Sequence, residues 1–212
     1  MDKSNFQAQA DPTLDSRRMT SDRFLLTGGF SGILFISVFV ILGAVAPGYS
    51  GLRDTISALE LTTVSVAQRA NFFIFGLLLC CFAIGLRREL VPGRGAFLIP
   101  LFQLVSAVGV IGDAIFIYEP MHLVCDLIAF NSALIGLFLF AWRFRREPTW
   151  KGWTAYTIVT ALAMMGFLAA FGLANHFGGP AGLLEKLATC TRTLWSVGLT
   201  ARLLSGKRLG RH

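Results

Sequence analysis

Charged side chains are scarce in this chain of 212 residues, because only 15% are Asp, Glu, Lys or Arg. A soluble domain carries about 25%. Cysteine is also sparse, and all four cysteines lie within apolar segments, at Cys80, Cys81, Cys125 and Cys190. A disulfide framework needs paired cysteines in exposed loops. These shortages exclude a soluble enzyme domain, a disordered chain and a disulfide-stabilised secreted domain.

Hydrophobic residues make up 54% of the chain and are collected in long blocks. A helix needs about 20 apolar residues to cross a bilayer, and continuous blocks favour helices over the alternating strands of a barrel. The sequence therefore predicts an all-α, polytopic transmembrane bundle of six helices. The predicted spans cover residues 24–46, 71–86, 96–117, 122–142, 153–174 and 182–204. We expect a disordered cytoplasmic tail over 1–22, the transmembrane domain over 23–205 and a basic cytoplasmic tail over 206–212.

Positive charge is distributed unevenly along the chain. Fifteen of the 19 Lys and Arg residues lie in the N-terminal tail, the second and fourth loops and the C-terminal end. Basic loops remain on the cytoplasmic side, so we predict a multi-pass protein of the bacterial cytoplasmic (inner) membrane with both termini inside. Topology thereby explains the net charge of +7, and we expect no binding of nucleic acid.

Acidic and histidine residues collect on the opposite, outer side of the predicted bundle. They are Asp54, Glu60, Asp113, Glu119, His122, Asp126, His176 and Glu185. Ionisable groups at membrane depth are costly and usually face the bundle interior or a cavity that contains water. His122 and Asp126 are four residues apart and therefore share one face of their helix. The sequence predicts a polar cup that opens outward.

Arg192 lies about ten residues into the last predicted helix, near the middle of the membrane. An unpaired arginine is expensive there, so we expect it to meet Asp126 or Asp113. Such a pair either holds helices together or anchors an anionic head group or carboxylate. The predicted ligand-binding residues of the cup are Asp54, Asp113, His122, Asp126, His176, Glu185 and Arg192.

The first outer loop, residues 47–69, is the only long one. Asp54 is expected to cap a short helix over residues 55–60. Leu52, Ile56 and Leu59 would then face one way, as in a helix that lies on the bilayer surface as a lid. The same pattern also fits a simple amphipathic connector.

Several short strings of the sequence occur together. They are Pro47-Gly48-Tyr49-Ser50, Arg53-Asp54-Thr55-Ile56-Ser57, Gly112-Asp113, His122 with Asp126 to Phe130, and Gly182 with Glu185-Lys186. This combination resembles a bacterial and archaeal family of six-span membrane proteins known only as a domain of unknown function. The resemblance extends from the first span to the last. It implies six helices and a cytoplasmic membrane, and it implies no activity.

Three functions fit these residues. The first is a binder or transporter that takes a lipid head group or a small polar ligand into the cup. The second is a metal-dependent membrane hydrolase acting on a lipid-like ester or amide, in which Asp113, His122, Asp126 and His176 would bind zinc. The third is an accessory protein whose polar residues only hold the helices together. No tight motif such as H-E-x-x-H is present, so the sequence leaves all three open.

Overall fold

The computed structural model describes residues 12–91, 93 and 95–205, and every regular element among them is helical. The long helices are α1 (Pro12–Val45), α2 (Ser65–Leu90), α3 (Leu98–Ile115), α4 (Met121–Phe144), α5 (Trp153–Phe177) and α6 (Ala181–Leu204). Short 3-10 helices cover Ser57–Leu61 and Pro148–Trp150. The prediction of an all-helical protein is confirmed.

The first helix begins earlier than expected, because it includes part of the tail that we predicted to be disordered. Pro12 occupies its first position, where a proline is well tolerated. No further proline follows in the helix, and its first glycine is Gly28. A helix begun at Pro12 therefore continues without a breaker into the apolar block. Residues 1–11 and the predicted basic tail at 206–212 lie outside the described residues.

Five of the six helices are long and apolar enough to cross a membrane. They are α1, through its segment Ser21–Val45, and α2 to α5. The last helix is less apolar because it carries Glu185, Lys186 and Arg192 together with several hydroxyl side chains. The chain is therefore a helical protein of the membrane type with at least five candidate spans.

The six helices form a closed ring in which each helix packs against the next in sequence and α6 contacts α1. One end of the ring, here called the loop end, carries the first loop together with the α3–α4 and α5–α6 connections. The other is the tail end. Side chains from α1 to α4 and the first loop build the hydrophobic core at the loop end, whereas all six helices contribute to the core at the tail end.

Close contact between α3 and α4 depends on glycine. A Cβ atom at Gly109 would lie 2.6 Å from the backbone nitrogen of Ala129 and 2.8 Å from the carbonyl oxygen of Cys125. A Cβ atom at Gly112 would collide with the sulfur of Cys125. Small residues allow helix backbones to approach closely inside a membrane. This contact therefore fixes the register between the two helices that carry Asp113 and His122.

The first loop differs from its prediction. Its short helix covers Ser57–Leu61 and follows Ile56 without a side-chain cap. The Asp54 carboxylate instead accepts a hydrogen bond from the backbone N–H of Ser50 at 2.6 Å. Ile56 and Leu59 are fully buried in the loop-end core, and only Leu52 is exposed. The predictions of a cap at Asp54 and of a helix on the bilayer surface are therefore wrong.

Hydrogen bonds to α6 explain this difference. The backbone N–H groups of Gly182 and Leu183 donate to the carbonyls of Arg53 and Leu52, both at 3.0 Å. A Cβ atom at Gly182 would collide with the carbonyl oxygen of Asp54. The loop is therefore tied to the start of α6, and its apolar side chains enter the ring instead of facing lipid.

The α3–α4 contact predicts a sharp difference between two glycine-to-alanine variants. Gly109→Ala forces the two backbones apart, and we expect it to lower the free energy of unfolding by about 1–3 kcal/mol, as overpacking does. Gly136→Ala on α4 is the matched control, because a Cβ atom there meets nothing within 4 Å. Thermal unfolding in detergent measures both. Equal melting temperatures for the two variants would contradict the close contact.

Candidate functional site

Six ionisable side chains approach one another inside the loop end of the ring. We call them the polar cluster, and they are Glu60, Asp113, His122, Asp126, Glu185 and Arg192. Four of them line a cavity of about 40 Å³ together with apolar side chains, namely Asp113, Asp126, Glu185 and Arg192. Such a cavity has room for an ion and one or a few water molecules. The first loop covers this cavity through Ile56, which also lines it.

The imidazole of His122 is held by a backbone carbonyl. Its Nδ1 lies 2.9 Å from the carbonyl oxygen of Phe116. Because a carbonyl only accepts hydrogen bonds, Nδ1 carries the proton, and Nε2 of the neutral ring keeps its lone pair. Nε2 is buried without a hydrogen-bond partner, 3.7 Å from Asp126 Oδ2. In its neutral form the ring therefore presents an unused nitrogen lone pair to the cluster.

Two carboxylates converge on the same point. One ligand atom from each of Asp113, His122 and Asp126 lies within 4.8 Å of the other two. Asp113 is only 2% exposed, and its Oδ1 has no hydrogen-bond partner. About a quarter of the Asp126 side chain remains exposed. One nitrogen and two carboxylates form a ligand set that suits a zinc-like cation.

Glu60 is a member of the cluster that the predicted cup did not include. It is 2% exposed, neither carboxyl oxygen has a hydrogen-bond partner, and Oε2 lies 3.9 Å from Nδ1 of His122. Burial raises its pKa to about 8; Arg69 opposes this shift and Asp126 adds to it. The sequence contained one sign of this position, because Glu60 is the single acid in the otherwise uncharged stretch from Ile56 to Leu61.

Two cluster residues come from α6. Glu185 is 4% exposed, and its Oε2 accepts a hydrogen bond from the backbone N–H of Ile56 at 2.7 Å. Arg192 lies about two turns further along, and its Nη2 is buried without a hydrogen-bond partner. We expected Arg192 to pair with Asp126 or Asp113. Within the described part of the chain it shares their cavity but makes no ion pair with either.

The remaining two predicted site residues lie away from the cluster. Asp54 stabilises the first loop through Ser50, and its backbone carbonyl accepts a hydrogen bond from the Lys186 ammonium at 2.8 Å. His176 is exposed near the end of α5, where its ring contacts Phe177. The structure therefore brings together five of the seven predicted residues, Asp113, His122, Asp126, Glu185 and Arg192.

Lys186 and Tyr49 hold the first loop over the cluster. The Lys186 ammonium donates hydrogen bonds to the carbonyls of Gly51, Asp54 and Gly182 at 3.1, 2.8 and 3.2 Å. It also lies 5.2 Å from the centre of the Tyr49 ring. The Tyr49 hydroxyl is near the carbonyls of Asp54 and Thr55, and burial together with Glu185 and Asp54 raises its pKa. This network closes the loop end of the ring over the cavity.

Comparison with known proteins identifies a family and no individual relative. A family model described as a protein of unknown function (DUF998) matches residues 30–202. The match begins within α1 and ends within α6, so it includes the whole polar cluster. No curated protein and no solved structure matches the chain.

The hydrogen bond between Glu185 and Ile56 predicts how the first loop opens. Glu185→Leu removes the acceptor of a buried backbone N–H, which costs about 1–3 kcal/mol. We expect the backbone amides of residues 52–61 to exchange with deuterium at least about tenfold faster, as read by mass spectrometry in detergent. Glu119→Leu is the control, because Glu119 is an exposed acid at the same end of the ring. If both variants exchange like the wild type, Glu185 does not hold the loop.

Proposed function

The chain belongs to the DUF998 family, and from its polar cluster we propose that it is an integral membrane protein that binds a divalent metal cation. The observation that carries this proposal is the convergence of Asp113, His122 and Asp126 with unused ligand atoms. Buried polar atoms without partners are rare in folded proteins and call for an explanation. A cation that binds Asp113 Oδ1 and His122 Nε2 gives both of these atoms a partner.

The donor set favours zinc among the common divalent cations. Zinc accepts imidazole nitrogen and carboxylate oxygen and binds three protein ligands when a fourth position is kept for water or a ligand. Calcium and magnesium prefer sites made entirely of oxygen. Bonds of about 2 Å bring tetrahedral ligand atoms to about 3.3 Å from one another. Small side-chain movements from the present spacing of up to 4.8 Å therefore close the site.

The hydrogen bond at the other ring nitrogen of His122 supports the same proposal. Histidine ligands almost always donate their other ring N–H to a carbonyl or carboxylate, which fixes the ring and raises its basicity. The carbonyl of Phe116 accepts this hydrogen bond. Glu60 lies beside the same nitrogen. The imidazole is thus oriented for a ligand before any ligand arrives.

The size of the cavity favours a metal ion over a lipid head group as the ligand of the cluster. At about 40 Å³ it suits an ion with a few water molecules better than a whole lipid head group. A hydrolase that cleaves a lipid-like ester or amide would use the same metal ligands. Metal binding is therefore the step that such a hydrolase and a metal-dependent binding protein share.

We further propose that all six helices cross the bacterial cytoplasmic membrane and that both termini are cytoplasmic. The ring supports this, because α6 packs lengthwise between α1 and α5 and turns Thr189, Thr193 and Thr200 inward. These three hydroxyl side chains of α6 are therefore shielded from lipid. The cluster then lies in the outer half of the membrane.

Reporter fusions test this topology. Green fluorescent protein fused to the C-terminus is expected to fluoresce, because it folds only in the cytoplasm. Alkaline phosphatase fused after residue 178, beyond α5, is expected to be active, because it folds only outside. If α6 does not cross, the C-terminal fluorescent fusion stays dark and the corresponding phosphatase fusion becomes active.

Metal analysis tests the proposed function. Protein purified in detergent without chelator is expected to contain, or to take up, about one zinc ion per chain. His122→Gln and Asp113→Asn each remove a ligand, and we expect each to weaken zinc binding at least about tenfold. Mass spectrometry of the metal content, with zinc titration, measures this.

His176→Gln is the matched control, because His176 is exposed at the same end of the ring and outside the cluster. It is expected to bind zinc as the wild type does. A folded wild type that takes up no zinc, or zinc binding that survives both ligand variants, would overturn the proposed site and leave the cluster with a structural role.

A further inference from the structure

The cavity of the polar cluster has an unusual boundary. Its lining comes from α1, the first loop, α2, α3, α4 and α6, and no residue of α5 takes part. Yet α5 stands between α4 and α6 in the ring. The loop-end core likewise contains no α5 residue. On the side of α5, the cluster is therefore not closed by a packed helix.

The pattern of burial along α5 explains this gap. All of its buried residues, Thr157, Thr160, Ala161 and Met164, lie in the half toward the tail end. Beyond Met164 every residue of the helix is half-buried or exposed. Gly172 is exposed, and because it is eleven residues after the buried Ala161 it lies on the same side of α5. A Cβ atom at Gly172 would meet no atom within 4 Å. Phe167 and Leu168 still pack against the tail-end core, and open space begins beyond them.

The exposed part of Asp126 belongs to this gap. Cys125 and Ala129 contact the glycines of α3, and Asp126 is one residue, about 100° around the helix, from Cys125. Phe130 continues the Asp126 side, is half-buried and lines the cavity. Asp126 keeps 26% side-chain exposure, whereas Glu60 on the loop side keeps 1%. The cluster is sealed toward the first loop and open sideways, between α4 and α5.

An entrance that opens sideways into a bilayer admits a ligand with an apolar body. The polar end of that ligand must fit beside the cation in a cavity of about 40 Å³, which favours a carboxylate over a phosphodiester with its glycerol. Arg192 supplies the complementary charge, because its buried Nη2 has no partner in the cavity. Charge-assisted hydrogen bonds from arginine to carboxylate are strong.

We propose that the polar cluster binds the carboxylate of a long-chain fatty acid that enters from the surrounding bilayer between α4 and α5. This inference rests on the proposed function, since the bound cation and Arg192 together neutralise the carboxylate. The alkyl chain lies along the outer half of α5, on the face that carries Gly172.

A pair of glycine variants tests this entrance. Gly172→Phe fills the space on the side of α5 that carries Ala161, whereas Gly166→Phe adds the same side chain about 120° away around the helix, also at an exposed position. Zinc-loaded protein in dodecyl maltoside is titrated with radiolabelled palmitate, and zinc content is measured on the same samples. We expect about one palmitate per wild-type chain, at least about tenfold weaker binding to Gly172→Phe, and wild-type binding to Gly166→Phe.

A third variant tests the anchor. Arg192→Gln is expected to weaken palmitate binding at least about tenfold while zinc stays bound. Because this change leaves a buried amide in place of a charge, thermal unfolding of the same preparation verifies that the variant is folded. Unchanged palmitate affinity in folded Arg192→Gln would overturn the role of the guanidinium.

The outcomes separate the two proposals. Zinc-loaded wild type that binds no palmitate, or that loses binding equally in both phenylalanine variants, overturns the lateral entrance and leaves the metal site standing. A wild type that takes up no zinc but binds palmitate in a Gly172-dependent way supports the entrance and overturns the metal site. Phospholipid retained in the gap instead of palmitate overturns the fatty-acid assignment.

Discussion

The close contact between α3 and α4 is the constraint on which the candidate site depends. Gly109 allows the two backbones to meet, and Gly112 leaves room for the Cys125 side chain. Asp113 follows Gly112 directly, while His122 and Asp126 lie on the first turns of α4. Since the three potential ligands come from only these two helices, a shift of either helix would separate them. The site is thus a product of helix packing, with only small adjustments left to side-chain rotamers.

The first loop gives the site its enclosure. Hydrogen bonds from the start of α6 and from Lys186 hold the loop, while Ile56 and Leu59 enter the core. The buried N–H of Ile56 needs an acceptor in this position, and Glu185 supplies it. Glu185 therefore stabilises the loop and also lines the cavity. Enclosure toward the loop and openness toward α5 together define the direction that we propose for the entry of a ligand.

Much of this arrangement could be predicted from the sequence. Long apolar blocks give the six helices, and a four-residue spacing places His122 and Asp126 together, because both patterns depend only on local helix geometry. The family resemblance is confirmed by the match over residues 30–202. It was harder to predict which residues of different helices lie close together in the bundle. Asp113 and Glu185 were identified because ionisable residues inside spans are rare, and the same rule carried no information about which neighbours they contact.

The predictions that differ from the structure concern residues in the loops and at the helix ends. Asp54 is a good capping residue in isolation, but the hydrogen bonds between the loop and α6 impose another conformation on it. Glu60 was counted among the outer acids and left out of the cup, because nothing in its local sequence shows that the loop folds inward. His176 was included on the strength of its residue type, whereas α5 leaves the core before it reaches that position. Tertiary contacts decided all three positions.

X-ray absorption at the zinc edge, on protein loaded with one equivalent of zinc, identifies the atoms that bind the metal. A site made of Asp113, His122 and Asp126 predicts nitrogen and oxygen neighbours at about 2.0–2.1 Å and the more distant scattering of one imidazole. Cys125 is buried on the same stretch of α4 as His122 and Asp126, so sulfur neighbours at about 2.3 Å would reveal a different site. Sulfur in the first shell, or the absence of an imidazole signal, would contradict the assignment of Asp113, His122 and Asp126.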